Sequence, residues 1–157
     1  MSTLTIKLKQ LNLNPLSIAK FFYQKGIEDY RLIQDLIYLT YREVLKKENK
    51  ILFKEKFQAW KSGPMLESVF QQMQHYFREY GTINYLFEPV ENVEDKIIKS
   101  YLTKIYRGYQ NSKKQGKEID FFFQTQDSSW EKARKNTNGE KRPHTFLEPT
   151  KIISPTS

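Results

Sequence analysis

The side chains of this sequence best equipped for chemistry are two histidines, an adjacent pair of carboxylates and a set of tyrosines lying among lysines. His75 falls on the polar side of a helical pattern, and His144 falls in a polar C-terminal stretch. Neither has a carboxylate at a spacing that suggests a metal site or a catalytic triad. Glu94 and Asp95 precede an apolar-periodic segment, so they fit the electropositive start of a helix better than an acid/base pair. Tyr76, Glu79 and Tyr80 are neighbours through helical spacing alone. The 6 glycines are scattered singly, without a phosphate-cradling loop. The chain has no cysteine, which excludes disulfide scaffolds and Cys-based zinc sites. These residues predict a protein that is not an enzyme and uses neither cofactor nor metal.

The most distinctive charge feature lies between residues 99 and 117. Lys99, Lys104, Arg107, Lys113, Lys114 and Lys117 follow one another there with no intervening acid, and Tyr101, Tyr106 and Tyr109 are interleaved. Cations with aromatics bind single-stranded nucleic acid through phosphate contacts and base stacking. They also steer association with an acidic protein. The plainest alternative is a solvated helix face with Tyr101 and Tyr109 turned into the core. On the two binding readings the contact residues are Lys99, Lys104, Tyr106, Arg107, Lys113 and Lys114.

The whole chain carries a net charge of +8, unevenly spread: residues 1–49 have 8 basic and 5 acidic side chains, residues 50–92 have 5 of each, and residues 93–157 have 13 and 8. Of the 26 basic residues 20 are Lys, whereas base-reading interfaces favour Arg. A Lys-, Asn- and Ile-rich composition also follows from codon bias in an AT-rich genome. At 157 residues the chain has the size of one domain. Its 11 Phe, 10 Tyr and 2 Trp supply the apolar surface that offsets chain entropy on folding. No apolar run approaches the roughly 20 residues of a membrane span. Residues 1–14 lack an apolar core of signal-peptide length and are interrupted by Lys7 and Lys9, so a cytosolic location is expected.

The elements that must position these residues follow from periodicity. Leu4, Ile6 and Leu8 alternate with polar residues as in a short strand. Asn14-Pro15 opens a helix that Gly26 stops. Asp29 caps a second helix, whose Leu32, Ile33, Leu36, Ile37, Leu39, Tyr41, Val44 and Leu45 place it at the centre of the core. Ile51, Phe53, Phe57 and Ala59 recur at even spacing, a strand or hairpin signal. Gly63-Pro64 then turns the chain into a helix that buries Met65, Leu66, Val69, Phe70, Met73, Phe77 and Tyr80, with Pro64 in its first turn. Ile83, Tyr85 and Phe87 suggest another strand. Ile97, Ile98, Tyr101, Leu102, Ile105 and Tyr109 form the buried stripe of a helix begun at Glu94-Asp95. A short helix around Ile119 to Gln124 follows, and then a last turn capped by Ser128 or Ser129. From Asn136 the composition turns polar, with Pro143, Pro149 and Pro155, and predicts irregular or mobile chain.

Residues 57–64, Phe-Gln-Ala-Trp-Lys-Ser-Gly-Pro, resemble the "EAWKYGP" element of the Panacea domain, the SocA-like antitoxin family of bacteria and their phages. Residues 32–38, Leu-Ile-Gln-Asp-Leu-Ile-Tyr, resemble its "LQKLLYF" helix about 25 residues upstream, and residues 128–134, Ser-Ser-Trp-Glu-Lys-Ala-Arg, its late Pro-Trp-x-x-Ala-Arg element. The chain departs from the pattern at Ser62, where an aromatic is usual, at Met65-Leu66, where Val-Val or similar is usual, and at Ser129, which stands for a Pro.

The expected fold is mainly α: one helical domain over residues 15–134 with a small β hairpin or short antiparallel sheet, an N-terminal arm over 1–14 and a polar Pro-containing tail over 135–157. The structural motif is Ala59, Trp60, Gly63, Pro64 and Trp130. Trp60 and Trp130 suit either core packing or partner contact, with an indole N–H that needs an acceptor when buried. What the resemblance implies is an antitoxin-like protein that neutralises a toxin from an adjacent gene by direct contact, in one branch as a proteolytic adaptor. The alternatives are a phage-encoded inhibitor or effector of a host protein, and a basic nucleic-acid-binding regulator.

Overall fold

A computed structural model of the chain describes residues 8–153. It is mainly α, with two two-stranded sheets among the described residues. Helix α1 (Pro15–Gln24) starts where Asn14 accepts a hydrogen bond from the Leu16 N–H at 2.9 Å, and Pro15 needs no partner at the first helical position. Helix α2 (Tyr30–Glu48) starts at Asp29, whose carboxylate accepts from the N–H groups of Arg31 and Leu32. Its apolar rows bury Ile33, Leu36, Ile37, Tyr38, Tyr41, Val44 and Leu45 completely or nearly so. The rings of Tyr38, Tyr41, Phe53 and Phe57 pack with centroids 5.0 to 5.9 Å apart. Each such side chain contributes about 1.5–3 kcal/mol by leaving water, so this centre organises the rest.

Strand β1 (Lys9–Gln10) pairs in parallel with β2 (Lys50–Ile51), and the Leu11 and Leu13 N–H groups continue the ladder to the carbonyls of Ile51 and Leu52. The strand expected from Leu4 to Leu8 lies outside the described residues except for Leu8, which precedes β1. Strands β3 (Gln58–Trp60) and β4 (Gly63–Met65) form an antiparallel hairpin around Lys61-Ser62, later than the strand or hairpin read over Ile51 to Ala59, in which Phe53 and Phe57 belong to no strand. Gly63-Pro64 does not open a helix, contrary to the sequence reading. Pro64 sits in β4 opposite Ala59, and the helix begins only at Glu67. Proline is tolerated because Ala59, opposite it, turns its carbonyl away from β4 to accept from the Arg134 guanidinium at 2.9 Å, so no N–H is needed from position 64.

Helix α3 (Glu67–Tyr80) buries Val69, Phe70 and Met73 but leaves Phe77 and Tyr80, both expected in the core, exposed. Ile83, Tyr85 and Phe87 form no strand: helix α4 (Asn84–Phe87) buries Leu86 and Phe87 and sets Tyr85 outward. Helix α5 (Lys96–Lys114) is capped by Asp95 and packs on α2 with Ile98 and Leu102; Ile97 points out, one position off the stripe. Helix α6 (Glu118–Phe123) follows, and helix α7 (Ser128–Arg134) is capped by Asp127 rather than by a serine. The stretch after Arg134 is irregular as far as helix α8 (Pro149–Ile153), yet it is built into the fold. Phe146 bridges to Gln58 on the free side of β3, and Leu147 and Ile152 enter the same core as α1 and α2.

Candidate protein-interaction surface

The hairpin brings the motif residues together. Trp60 buries its ring and donates its indole N–H to the Gln58 side-chain carbonyl at 2.7 Å. The Trp60 main-chain carbonyl accepts the indole N–H of Trp130 at 2.8 Å. The Ala59 carbonyl accepts from the Arg134 guanidinium at 2.9 Å, and that guanidinium also holds the Glu140 carbonyl at 2.7 Å. Gly63 has φ +131, a conformation that side-chain-bearing residues rarely adopt. Ala59, Trp60, Gly63, Pro64 and Trp130 thus make one corner joining the hairpin, α7 and the C-terminal segment.

Two buried polar ties fix this corner to α2. Gln34, fully buried, donates to the Leu66 carbonyl and accepts from the Leu66 N–H, both at 3.1 Å. Asp127 accepts from the Tyr38 hydroxyl at 2.6 Å, from Arg42 at 2.9 Å, from the Ser129 hydroxyl at 2.7 Å and from the Trp130 N–H at 3.0 Å. Burial alone would raise the Asp127 carboxyl, but the bonds from Tyr38, Ser129, Trp130 and Arg42 outweigh it and hold it below the ordinary carboxylate value. Burial, reinforced by the Asp127 charge, drives the Tyr38 phenol far above its ordinary value, so it stays a neutral donor.

The outer side of the corner is open. A recess of about 280 Å³ is lined by Arg31, Trp60, Lys61, Ser62, Met65, Phe70, Lys141 and Arg142, with four cations and no acid. Trp60 and Phe70 meet at 5.0 Å, and the Arg142 guanidinium lies over both rings, 5.2 and 5.1 Å from their centroids. From Phe70 the aromatic surface continues through Tyr30, 5.9 Å away, to Phe77, 6.3 Å further. Tyr80 lies one turn beyond Phe77, and Tyr85 packs on Tyr80 at 5.3 Å. Phe77, Tyr80 and Tyr85 are 52, 57 and 50% exposed.

The basic helix is arranged differently. Lys96, Arg107 and Lys114, at intervals of eleven and seven, share the outer face of α5, and Lys99 and Lys113 are also exposed. Lys104 pairs with Glu43 at 3.1 Å. Its tyrosines are engaged: Tyr101 donates to Glu48 at 2.8 Å, Tyr106 to the Lys25 carbonyl at 3.2 Å, and Tyr109 packs on Phe121 and Phe122. His75 is exposed, and His144 approaches Glu67 at 3.3 Å, a contact between elements that sequence spacing could not reveal. No group of three or more metal-ligating side chains occurs among the described residues. Sequence reasoning overlooked Arg31, Lys141 and Arg142. Their signal was rarity, since 2 of only 6 arginines meet at one recess.

No helix among the described residues is long and apolar enough to cross a membrane. Among known proteins, no family model, no curated sequence and no solved structure matches the chain.

Proposed function

We propose that this chain is a non-enzymatic binding protein of the cytosol, antitoxin-like, which neutralises a cognate toxin by covering part of its surface. The observation that carries the reading is the exposed aromatic strip Phe77–Tyr80–Tyr85, continued through Tyr30 to the recess at Trp60. Contiguous exposed apolar surface edged by charge marks protein-interaction sites, and aromatic and Arg anchors dominate their energetics. In the scaffold beneath, every buried polar side-chain atom of the described residues is paired, which favours a surface organised before binding. The resemblance of residues 32–38, 57–64 and 128–134 to the Panacea pattern supplies the toxin as the partner class. The nucleic-acid reading draws less support, because Tyr101, Tyr106 and Tyr109 are committed to intramolecular partners and leave the α5 face without free stacking rings.

Co-expression with the product of the adjacent small gene tests the reading. Rescue of growth and co-purification of the two chains are expected. A toxic neighbour that this chain neither rescues nor binds refutes it.

A further inference from the structure

We infer that the recess at the hairpin corner receives an acidic side chain of the partner, carried on a segment whose adjoining apolar residue lies on Tyr30 and Phe77. This inference rests on the binding reading above and names the chemistry of its contact. The recess converges four cations, Arg31 from the first turn of α2, Lys61 from the hairpin turn, and Lys141 and Arg142 from the C-terminal segment, and no carboxylate lines it. Elements far apart in sequence are therefore held around one small concave volume by the Trp60–Trp130 bond and by the Lys61 N–H bond to the Lys141 carbonyl at 2.8 Å. Like charges so gathered repel one another, and an anion relieves that repulsion. Guanidinium groups bind carboxylates through two parallel hydrogen bonds, so Arg31 and Arg142 set the geometry while the lysines add field.

The volume, about 280 Å³, lies just under the usual range of small-molecule pockets and suits one or two side chains. A stacked nucleobase does not fit the arrangement. Trp60 and Phe70 are only 5 and 6% exposed, and Arg142 covers both rings, so the recess offers an anion donors rather than an aromatic face. The free aromatic surface begins outside it, at Tyr30 and Phe77, where an apolar neighbour of the bound acid lands.

The test is calorimetric titration of the full chain, at about 50 mM salt, with the capped peptide Gly-Asp-Leu-Phe-Glu-Gly. Its Asn/Gln counterpart, a counterpart with Ala for Leu-Phe, and hexathymidylate are titrated alongside. Saturable binding of the acidic-apolar peptide with Kd below about 1 mM, weakened at least tenfold in either counterpart, is expected. It should weaken at least tenfold in the variant Arg31→Gln, Lys61→Gln, Lys141→Gln, Arg142→Gln. All four side chains are exposed, and because Arg142 also covers Trp60 and Phe70 the urea midpoint of the variant is measured alongside to verify that it is folded. Absence of saturable binding, equal binding of either counterpart, an unaffected quadruple variant, or tighter binding of hexathymidylate overturns the inference. Growth rescue separates its failure from that of the wider reading. If both the native chain and the quadruple variant rescue fully, the antitoxin reading stands and the recess contact falls. If the native chain does not rescue, the antitoxin reading falls, and the titration still decides the recess.

Discussion

The indole N–H of Trp130 reaches back across seventy residues to the main-chain carbonyl of Trp60, at 2.8 Å. That bond fastens α7 to the hairpin turn, and with it the wall of the cationic recess. Trp130→Phe keeps an aromatic ring but removes the donor, leaving the Trp60 carbonyl without this partner. A loss of about 1–3 kcal/mol is expected, read as a lower urea midpoint with unchanged slope. An unchanged midpoint would mean that the bond is replaced by solvent at no cost.

Gly63 and Gly108 make opposite predictions for the same substitution. At Gly63 the backbone has φ +131, and an added Cβ would also stand 3.4 Å from the Thr125 hydroxyl oxygen. Gly63→Ala therefore costs about 1–3 kcal/mol through backbone strain. Gly108 lies within α5, where an added Cβ meets only the Phe121 ring edge at 3.6 Å, an ordinary contact. Gly108→Ala is expected to stabilise by about 0.4–1 kcal/mol, because it removes freedom from the unfolded chain. Thermal unfolding of the two variants side by side should move Tm in opposite directions; movement in the same direction contradicts the conformational argument.

Gln34 is a polar residue on the core face of α2, fully buried, and its amide closes two hydrogen bonds with the Leu66 main chain. Gln34→Leu has a similar volume and greater hydrophobicity, yet it strands an N–H and a carbonyl. Each buried unpaired group costs about 1–3 kcal/mol, so a net destabilisation is expected despite the added apolar area. Because the tie sets where β4 gives way to α3, amide hydrogen exchange at Leu66 and Phe70 should accelerate more than exchange within α5. Uniform acceleration would assign Gln34 a global role rather than a local one.

Helix positions were legible where capping and periodicity agreed. Asn14-Pro15, Asp29 and Asp95 begin helices as their chemistry requires, and the rows of α2 are buried as their spacing demands. The reading failed where a tertiary pairing decides between local options. Gly63-Pro64 suits both a helix start and a strand that needs no N–H, and the choice is made by Ala59 turning its carbonyl towards the Arg134 guanidinium, seventy-five residues away. Phe77 and Tyr80 continue a helical stripe perfectly well, but the last fully buried position of α3 is Met73, so the stripe runs on into solvent. The recess was invisible for the same reason: Arg31 and Arg142 lie 111 positions apart and meet only through the fold. Polar composition after Asn136 concealed the apolar anchors Leu147 and Ile152, which are too sparse to give a periodic signal.

Asp35 predicts how stability should vary with pH. Burial, and secondarily the charge of Asp29, push its carboxyl up from 3.8 to about 7. Between these values the folded chain holds a proton that the unfolded chain has released, so stability falls as pH rises through this window and levels off above it. The full shift corresponds to about 4 kcal/mol, an upper figure because water and relaxation moderate burial. Asp35→Asn removes the ionisation while keeping the shape. The variant and the native chain should therefore have similar urea midpoints near pH 4, and the variant should be the more stable at pH 8. The acid limb belongs to Asp127, whose depressed carboxyl supplies stability above the ordinary value of 3.8 that is lost as pH falls through its folded value. Glu43 adds to it, because although burial would raise its carboxyl the hydrogen bonds from Lys47 and Lys104 hold it below its ordinary value, so the limb should be common to both proteins and should shrink, not vanish, in Asp127→Asn. Parallel curves for Asp35→Asn and the native chain from pH 4 to 8 would show that Asp35 is hydrated in the folded protein, and would remove the burial on which the prediction stands.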